Sequence, residues 1–106
     1  MEKTLVALIP AYKPEPSMIT MLQELKECGL KIVVVNDGSG TEYEDIFKRA
    51  EEYAHIIYHD KNMGKGHALK TGMSYIKEVF NEGNFVVVTM DADGQHMVSD
   101  ALKVCS

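Results

Sequence analysis

Two carboxylates stand one residue apart in the stretch "VVVTMDADGQH", residues 86–96, directly after a run of apolar, strand-forming residues. In an extended chain residues i and i+2 point to the same side, so Asp91 and Asp93 repel each other. A shared proton, a basic side chain or a cation would relieve that repulsion. Mg²⁺ or Mn²⁺ suits the arrangement, because these ions prefer oxygen ligands and keep positions for water and substrate phosphates. The amide oxygen of Gln95 is a third candidate ligand.

Each polar feature also has an ordinary explanation when it is taken singly. Asp-x-Asp is common as a pair of solvated turn carboxylates, Asp37 before a glycine is typical of a turn, and Lys65 in "GKG" suits an exposed loop. Three histidines are interpreted as structural or surface residues: His55, His59 and His67. Only the joint placement of several polar clusters favours a functional site over these explanations.

Length and composition indicate one globular domain of 106 residues, with 45% hydrophobic and 25% charged residues. The net charge of −5 argues against a protein that binds nucleic acid by neutralising phosphates. The cysteines Cys28 and Cys105 match no metal-binding spacing and are interpreted as free thiols of a reducing compartment. No signal peptide or membrane span is recognised, so a cytoplasmic location is expected.

Strands and helices alternate along the chain. Helical stripes of apolar residues separate the strands, with Pro16 suited to the first turn of one helix and Gly29 to its end. A capping box, with Thr41 at the N-cap and Glu44 at N3, is expected to open the second helix. A last helix is expected from about residue 98. The predicted strands are Thr4–Ile9, Lys31–Asn36, His55–Asp60 and residues 84–90.

This alternation, with strands that are apolar on both faces, predicts an α/β fold with a mostly parallel sheet in the order 3-2-1-4. Ligands in such sheets bind beyond the carboxyl ends of the strands, where the strand order reverses. Three polar clusters follow the first, second and fourth strands, and the glycine-rich "NMGKGH" follows the third. The sequence therefore predicts one site at this edge of the sheet.

Four segments together resemble a known family: "IPAYKPEP", "VVVNDGS", "NMGKGHALKTG" and "VVVTMDADGQH", in this order and spacing. They are similar to the nucleotide-sugar-binding half of family 2 glycosyltransferases, which have the Rossmann-like GT-A fold. The "DADGQH" form is most similar to the polyprenyl-phosphate sugar transferases of the dolichol-phosphate type. The resemblance covers essentially all of residues 1–106.

The resemblance implies a role for each matching position. It places Pro10, Ala11 and Tyr12 in the nucleotide pocket, and it implies that Asp37 hydrogen-bonds the base. Lys61, Gly64 and Lys65 would border the base or the diphosphate. Asp91 would meet the ribose or the metal, Asp93 would be the principal metal ligand, and Gln95 would be a further one.

The resemblance also implies the reaction and its partners. A metal ion, Mg²⁺ or Mn²⁺, would assist transfer of a sugar from UDP or GDP to an acceptor, which is a polyprenyl phosphate or a glycan. Many members carry Glu two residues after the Tyr, where this chain has Pro14, and Glu15 is a weak substitute. The general base of an inverting transfer is expected beyond Ser106. The chain is thus expected to be a truncated, donor-binding part that is inactive or weakly active alone, and a longer form would lie at the cytoplasmic face of a membrane.

Two other functions stay open on the sequence alone. A nucleotidyltransferase shares the sheet plan and the metal, but it usually carries a glycine- and arginine-rich loop where this chain has "PAYKPEP". A non-catalytic nucleotide-binding module would need no general base. The sheet is also expected to expose the edge of its fourth strand, which predicts self-association.

Overall fold

The computed structural model describes residues 4–80 and 84–92. Along the chain lie the strand β1 (Thr4–Ala11), the helix α1 (Ser17–Glu27), the strand β2 (Lys31–Asp37), a short 3₁₀ helix (Thr41–Tyr43), the helix α2 (Glu44–Ala50), the strand β3 (His55–His59), the helix α3 (Lys65–Val79) and the strand β4 (Phe85–Thr89). The helix expected from about residue 98 lies outside the described residues.

The four strands form one all-parallel sheet in the order β3-β2-β1-β4, which confirms the predicted fold class and strand order. The register aligns Ile9 of β1 with Val34 of β2, and it aligns Leu8 with Thr89 of β4. Because every strand runs the same way, all four carboxyl ends lie at one edge of the sheet. The strand order reverses between β1 and β4, so a crevice opens there.

Both faces of the central strands β1 and β2 are buried, because their apolar side chains alternate between two cores. Ala7 and Ile9 of β1 belong to the core beneath α1 and α2, whereas Val6 and Leu8 belong to the core beneath α3. All four side chains are fully buried. This double coverage explains why the strand reads as a continuous apolar run instead of an alternating one.

The helix α1 ends as its sequence predicts. Gly29 adopts φ +87, a left-handed conformation that glycine tolerates without steric cost. The Gly29 N–H donates to the Lys26 carbonyl at 2.9 Å, and the Leu30 N–H donates to the Leu25 carbonyl at 3.2 Å. These two bonds form a Schellman motif, which satisfies carbonyls that the helix end would leave unpaired.

The predicted capping box at the start of α2 is wrong. Thr41 is the first residue of the 3₁₀ helix, which follows Gly40 at φ +97, and no side-chain cap bond is made there. The helix α2 then begins at Glu44 itself, again without a side-chain cap. The extra 3₁₀ turn displaces Thr41 from the N-cap position, so its hydroxyl cannot meet the orphan N–H groups of α2.

The first strand continues past Pro10, where the sequence predicts its end. Pro10 and Ala11 stay paired with Val35 and Asn36 of β2. Towards β4, the Leu8 carbonyl accepts the Met90 N–H at 3.0 Å. The backbone nitrogen of Pro10, two residues further along β1, therefore also faces β4. Having no N–H, Pro10 cannot extend this ladder, and β1 and β4 separate beyond it.

Candidate functional site

A cavity of about 340 Å³ occupies the place where β1 and β4 separate. Its walls come from the segment after β1 and the segment after β4. The ring of Tyr12 is half-exposed at this mouth, with the ammonium group of Lys13 5.3 Å from the ring centroid. The lining residues are Pro10, Tyr12, Lys13, Pro14, Glu15, Asp91 and Ala92.

The loop after β1 is fixed by a bond to the loop after β2. Lys13 has φ +50, a left-handed conformation that costs a residue with a Cβ about 1–2 kcal/mol. Its N–H donates to the Ser39 hydroxyl at 2.9 Å, and the Ser39 N–H donates to the Asn36 side-chain oxygen at 3.1 Å. Ser39 and Asn36 are buried, so these bonds hold the strained backbone in place.

Asp37, the last residue of β2, lies beneath the glycine-rich loop and is 3% exposed. Its Oδ1 accepts the Met63 N–H at 2.8 Å and lies 2.9 Å from His59 Nδ1. Its Oδ2 accepts the Gly64 N–H at 3.0 Å and the Asn62 amide at 3.3 Å. The acceptor capacity of the carboxylate is therefore filled by groups of the chain itself.

These contacts determine the ionisation of Asp37. Burial alone raises the pKa of the carboxyl group, because it disfavours the charged form. The hydrogen bond from His59 and the backbone N–H bonds from Met63 and Gly64 outweigh burial, so the pKa lies below its ordinary value. At neutral pH Asp37 is an anion, and it can only accept hydrogen bonds.

Gly38 lets the same loop approach the end of β2. A Cβ at this position would overlap the backbone of Lys61 and Asn62, and Gly38 also has φ +68. Glycine is thus required here both for its conformation and for its size.

Lys65 and Asp91 meet across the mouth of the crevice. Lys65 is the first residue of α3, and its Nζ donates to Asp91 Oδ1 at 2.9 Å. The two side chains are 65% and 57% exposed, so the pair contributes little to stability. A pair this exposed can exchange partners at little cost when a charged ligand arrives.

The structure therefore brings most of the predicted site residues to one edge of the sheet. Pro10, Tyr12 and Asp91 line the crevice, and Lys65 contacts Asp91. The side chain of Ala11 is buried in the core on the α1 side instead. Gly64 is the N-cap of α3, and Lys61 is exposed in the loop before it. The predicted metal ligands Asp93 and Gln95 lie outside the described residues.

Sequence patterns do not single out three other residues near this edge, Asn36, Asn62 and Thr71, whereas Ser39 belongs to the polar cluster after the second strand. Asn36 and Ser39 flank "DG", a composition typical of turns, which was a usable signal. His59 was interpreted as structural or surface, and the structure places it against Asp37. No sequence pattern predicts that contact, because it depends on the register that aligns Asp37 with His59.

A larger cavity, of about 490 Å³, lies at the opposite end of the sheet. It is lined by residues near the amino ends of β2 and β3, such as Lys31 and His55, and by the ends of helices, such as Phe80. None of the predicted site residues belongs to it. Its position away from the strands' carboxyl ends makes it the weaker candidate for a ligand site in a parallel sheet.

Of the three predicted metal ligands, Asp91 is the one that lies among the described residues. Asp91 presents an exposed carboxylate at the mouth of the crevice, and carboxylate and amide oxygens are the ligands such ions prefer. Within residues 4–80 and 84–92, no three His, Cys, Asp or Glu side chains come together as a metal centre.

Across the described part of the chain, no helix combines the length and apolarity needed to cross a bilayer.

A parallel α/β sheet with a polar crevice at its switch point is a Rossmann-like arrangement. The sequence profile of glycosyl transferase family 2 matches residues 6–105. The match spans nearly the whole chain, and the chain therefore belongs to glycosyl transferase family 2.

Individual relatives support this assignment. A UDP-N-acetylglucosamine–dolichyl-phosphate N-acetylglucosaminyltransferase of Methanococcus voltae is 31% identical over 97% of this chain and 46% of its own length. Two uncharacterized proteins of Methanocaldococcus jannaschii are 39% and 29% identical, over 92% and 94% of this chain and 38% and 44% of their own lengths. The chain thus spans less than half the length of these curated relatives.

Proposed function

We propose that this chain is the donor-binding part of a glycosyltransferase that moves a sugar from a nucleoside diphosphate to a polyprenyl phosphate. The observation that carries the proposal is the crevice between β1 and β4, with Tyr12 on one wall and the Lys65–Asp91 pair on the other. An aromatic ring, an exposed lysine and a carboxylate are the groups that can hold a base, a diphosphate and a metal ion.

The charges of the crevice suggest how a donor is held. Lys65 lies at the amino end of α3, so its ammonium group and the helix dipole both favour an anion there. A diphosphate would draw Lys65 away from Asp91 and free that carboxylate for a divalent cation. Asp93 and Gln95 would complete the oxygen ligands, and the bound ion would stabilise negative charge on the leaving diphosphate.

The identity of donor and acceptor is inferred from the relatives. The name of the Methanococcus voltae enzyme specifies a UDP sugar and a dolichyl phosphate, which favours a uridine nucleotide and a lipid-phosphate acceptor for this chain as well. Inversion at the anomeric carbon, a general base beyond Ser106 and a location at the cytoplasmic face of a membrane are parts of the same proposal.

The first test is calorimetric titration of UDP and of GDP into the protein, with and without Mn²⁺. We expect binding that requires the metal, a preference for UDP, and loss of most of the affinity in Asp93→Asn. Asp45→Asn is the matched control, because Asp45 is an exposed carboxylate in the first turn of α2, away from the crevice. Equal binding by Asp93→Asn and the control would contradict the metal role of Asp93.

Activity assays on the same protein distinguish the other candidate functions. Nucleotide binding with neither sugar transfer nor donor hydrolysis would describe a non-catalytic module. Release of pyrophosphate from a nucleoside triphosphate in the presence of a sugar phosphate would identify a nucleotidyltransferase instead. A folded chain, checked by circular dichroism, that binds no nucleotide under any condition would overturn the proposed function.

A further inference from the structure

Side chains of β2, β3 and α3 contact one another in sequence: Asp37 contacts His59, and His59 contacts Thr71. His59, the last residue of β3, has its Nδ1 at 2.9 Å from Asp37 Oδ1 and its Nε2 at 3.0 Å from Thr71 Oγ1 of α3. The side chain of His59 is 12% exposed, and that of Asp37 is 4% exposed. The ring therefore joins β2, β3 and α3 beneath the loop of residues 60–64.

The chemistry of the contacts assigns the proton on the imidazole. Asp37 is an anion and accepts only, so Nδ1 of His59 must donate to it. In the neutral ring Nε2 then accepts the hydroxyl proton of Thr71. In the charged ring Nε2 donates, and the Thr71 hydroxyl rotates to accept. The ring therefore keeps both hydrogen bonds, to Asp37 and to Thr71, in its neutral and its charged form.

The other partners of Asp37 are the loop itself. Its oxygens accept the backbone N–H groups of Met63 and Gly64, and Gly64 is the N-cap of α3. Lys65, the next residue, reaches Asp91 at the crevice. The orientation of the Asp37 carboxylate thus fixes where α3 begins and from where Lys65 reaches the crevice.

We propose that His59 is a positioning residue of the site: it holds Asp37 so that the loop of residues 60–64 presents Lys65 to an anionic ligand. His59 itself lies on β3 and takes no part in the lining of the crevice. Its effect on ligand affinity rests on the proposed function, whereas its effect on the loop does not.

Two substitutions at position 59 test the contacts of the two ring nitrogens separately. The Asn amide nitrogen is the same number of bonds from Cβ as Nδ1, so His59→Asn keeps a donor for Asp37 and loses the contact with Thr71. The Gln amide lies one bond further, where Nε2 lies, so His59→Gln keeps Thr71 and loses Asp37. Both variants place a carboxamide at position 59, so they differ in the distance of that group from the backbone.

Amide hydrogen exchange of Met63 and Gly64, followed by NMR, measures how often the hydrogen bonds from the loop to Asp37 open, and it needs no ligand. We expect exchange about tenfold faster in His59→Gln, since this variant loses a hydrogen bond to a charged group, and near-native exchange in His59→Asn. The amides of Ile9 and Val34 in the central strands report global opening, and their exchange is expected to change much less than that of Met63 and Gly64.

Nucleotide affinity is measured on the same two variants with UDP and Mn²⁺. We expect His59→Gln to bind about tenfold more weakly than His59→Asn, in the same order as the exchange rates. If the native protein binds no nucleotide, the proposed function fails, and the exchange rates alone still decide whether His59 positions the loop.

Several results would overturn the proposal. Native exchange at Met63 and Gly64 in both variants would remove the role of His59, as would equal acceleration in both. Acceleration spread evenly over the sheet would show a purely structural role. If neither variant folds, Thr71→Val removes the Nε2 contact from the side of α3 and leaves the imidazole on Asp37. Near-native exchange at Met63 and Gly64, as expected for His59→Asn, supports the proposal, and exchange about tenfold faster overturns it.

Discussion

Asp37 illustrates how one buried carboxylate can organise the loop of residues 60–64 without lining the crevice. The family resemblance implies a bond from this residue to the nucleotide base, and that bond stays a prediction. In the structure both oxygens are already occupied by His59 and the loop. A base that contacts Asp37 would have to replace one of these partners, of which the Asn62 amide, at 3.3 Å, makes the longest bond.

The lowered pKa of Asp37 makes stability depend on pH in a definite direction. Because the pKa is lower in the folded state than in the unfolded state, the unfolded state binds more protons in acid. The contribution is complete above the unfolded value of about 4 and is lost as the pH falls through the lower folded value. Asp37→Asn removes this dependence and, by leaving a buried network broken, costs about 3 kcal/mol at pH 7.

Urea unfolding between pH 7 and pH 3 measures this effect. We expect the native free energy of unfolding to fall more steeply with acid than that of Asp37→Asn. The exposed Asp45→Asn serves as the control and should keep the native slope. Parallel curves for the native protein and Asp37→Asn would show that Asp37 has no share in the acid sensitivity.

At the level of single residues, the sequence predicts where a side chain lies along a strand but not which distant residue it contacts. The position of Asp37 after a strand was readable, because an apolar run followed by "DG" predicts a strand that ends in a turn. The contact of Asp37 with His59 is not predictable from the sequence, since His59 lies 22 residues further on and only the register of β2 with β3 brings the two together. The left-handed Lys13 was equally hidden, because only the tertiary bond to Ser39 stabilises that conformation.

The elements themselves were largely predictable, because their packing follows from local patterns. Strands that are apolar on both faces predicted a parallel sheet, and the rule of right-handed crossovers restricted its order. The capping box of α2 failed, because "TEYE" satisfies the motif while Gly40 leads the chain into a 3₁₀ turn. Local motifs near a glycine are thus the weaker kind of prediction.

The helix α3 carries two glycines whose surroundings differ completely. Gly72 packs against the sheet, where a Cβ would overlap the side chain of the fully buried Leu8. Gly66 has nothing within 4 Å of such a Cβ. We therefore expect Gly72→Ala to destabilise the fold by about 1–3 kcal/mol through overpacking, and Gly66→Ala to stabilise it by up to about 1 kcal/mol through helix propensity.

Thermal unfolding of the two variants tests this difference, since both change glycine to alanine in the same helix. A rise in the midpoint temperature for Gly72→Ala would show that Leu8 can move aside, and that α3 is less closely packed than the structure indicates.

At the scale of the whole molecule, the described sheet has two edges, β3 and β4. β4 pairs with β1 alone among the described strands, and Val86 on it is 38% exposed. An edge strand with exposed backbone groups invites pairing with another chain. We expect concentration-dependent self-association, weakened by Val86→Lys because a charge at the edge disfavours strand addition.

Sedimentation velocity over a range of protein concentrations measures this association. Val79→Lys is the control, because Val79 is 50% exposed on α3 and lies away from the β4 edge. A native protein that stays monomeric at every concentration would contradict the prediction.

The pairing of β1 with β4 also sets an order of events during folding. Thr4 aligns with Phe85, so the central strand must wait for a partner from the far end of the described chain. Local units such as β1-α1-β2 close much shorter loops and are expected to form earlier. The crevice lies on the β1–β4 boundary and exists only once that last strand has docked. A ligand that binds in the crevice, as proposed, would therefore stabilise only the state in which β4 has docked, and binding would report that the described sheet is complete.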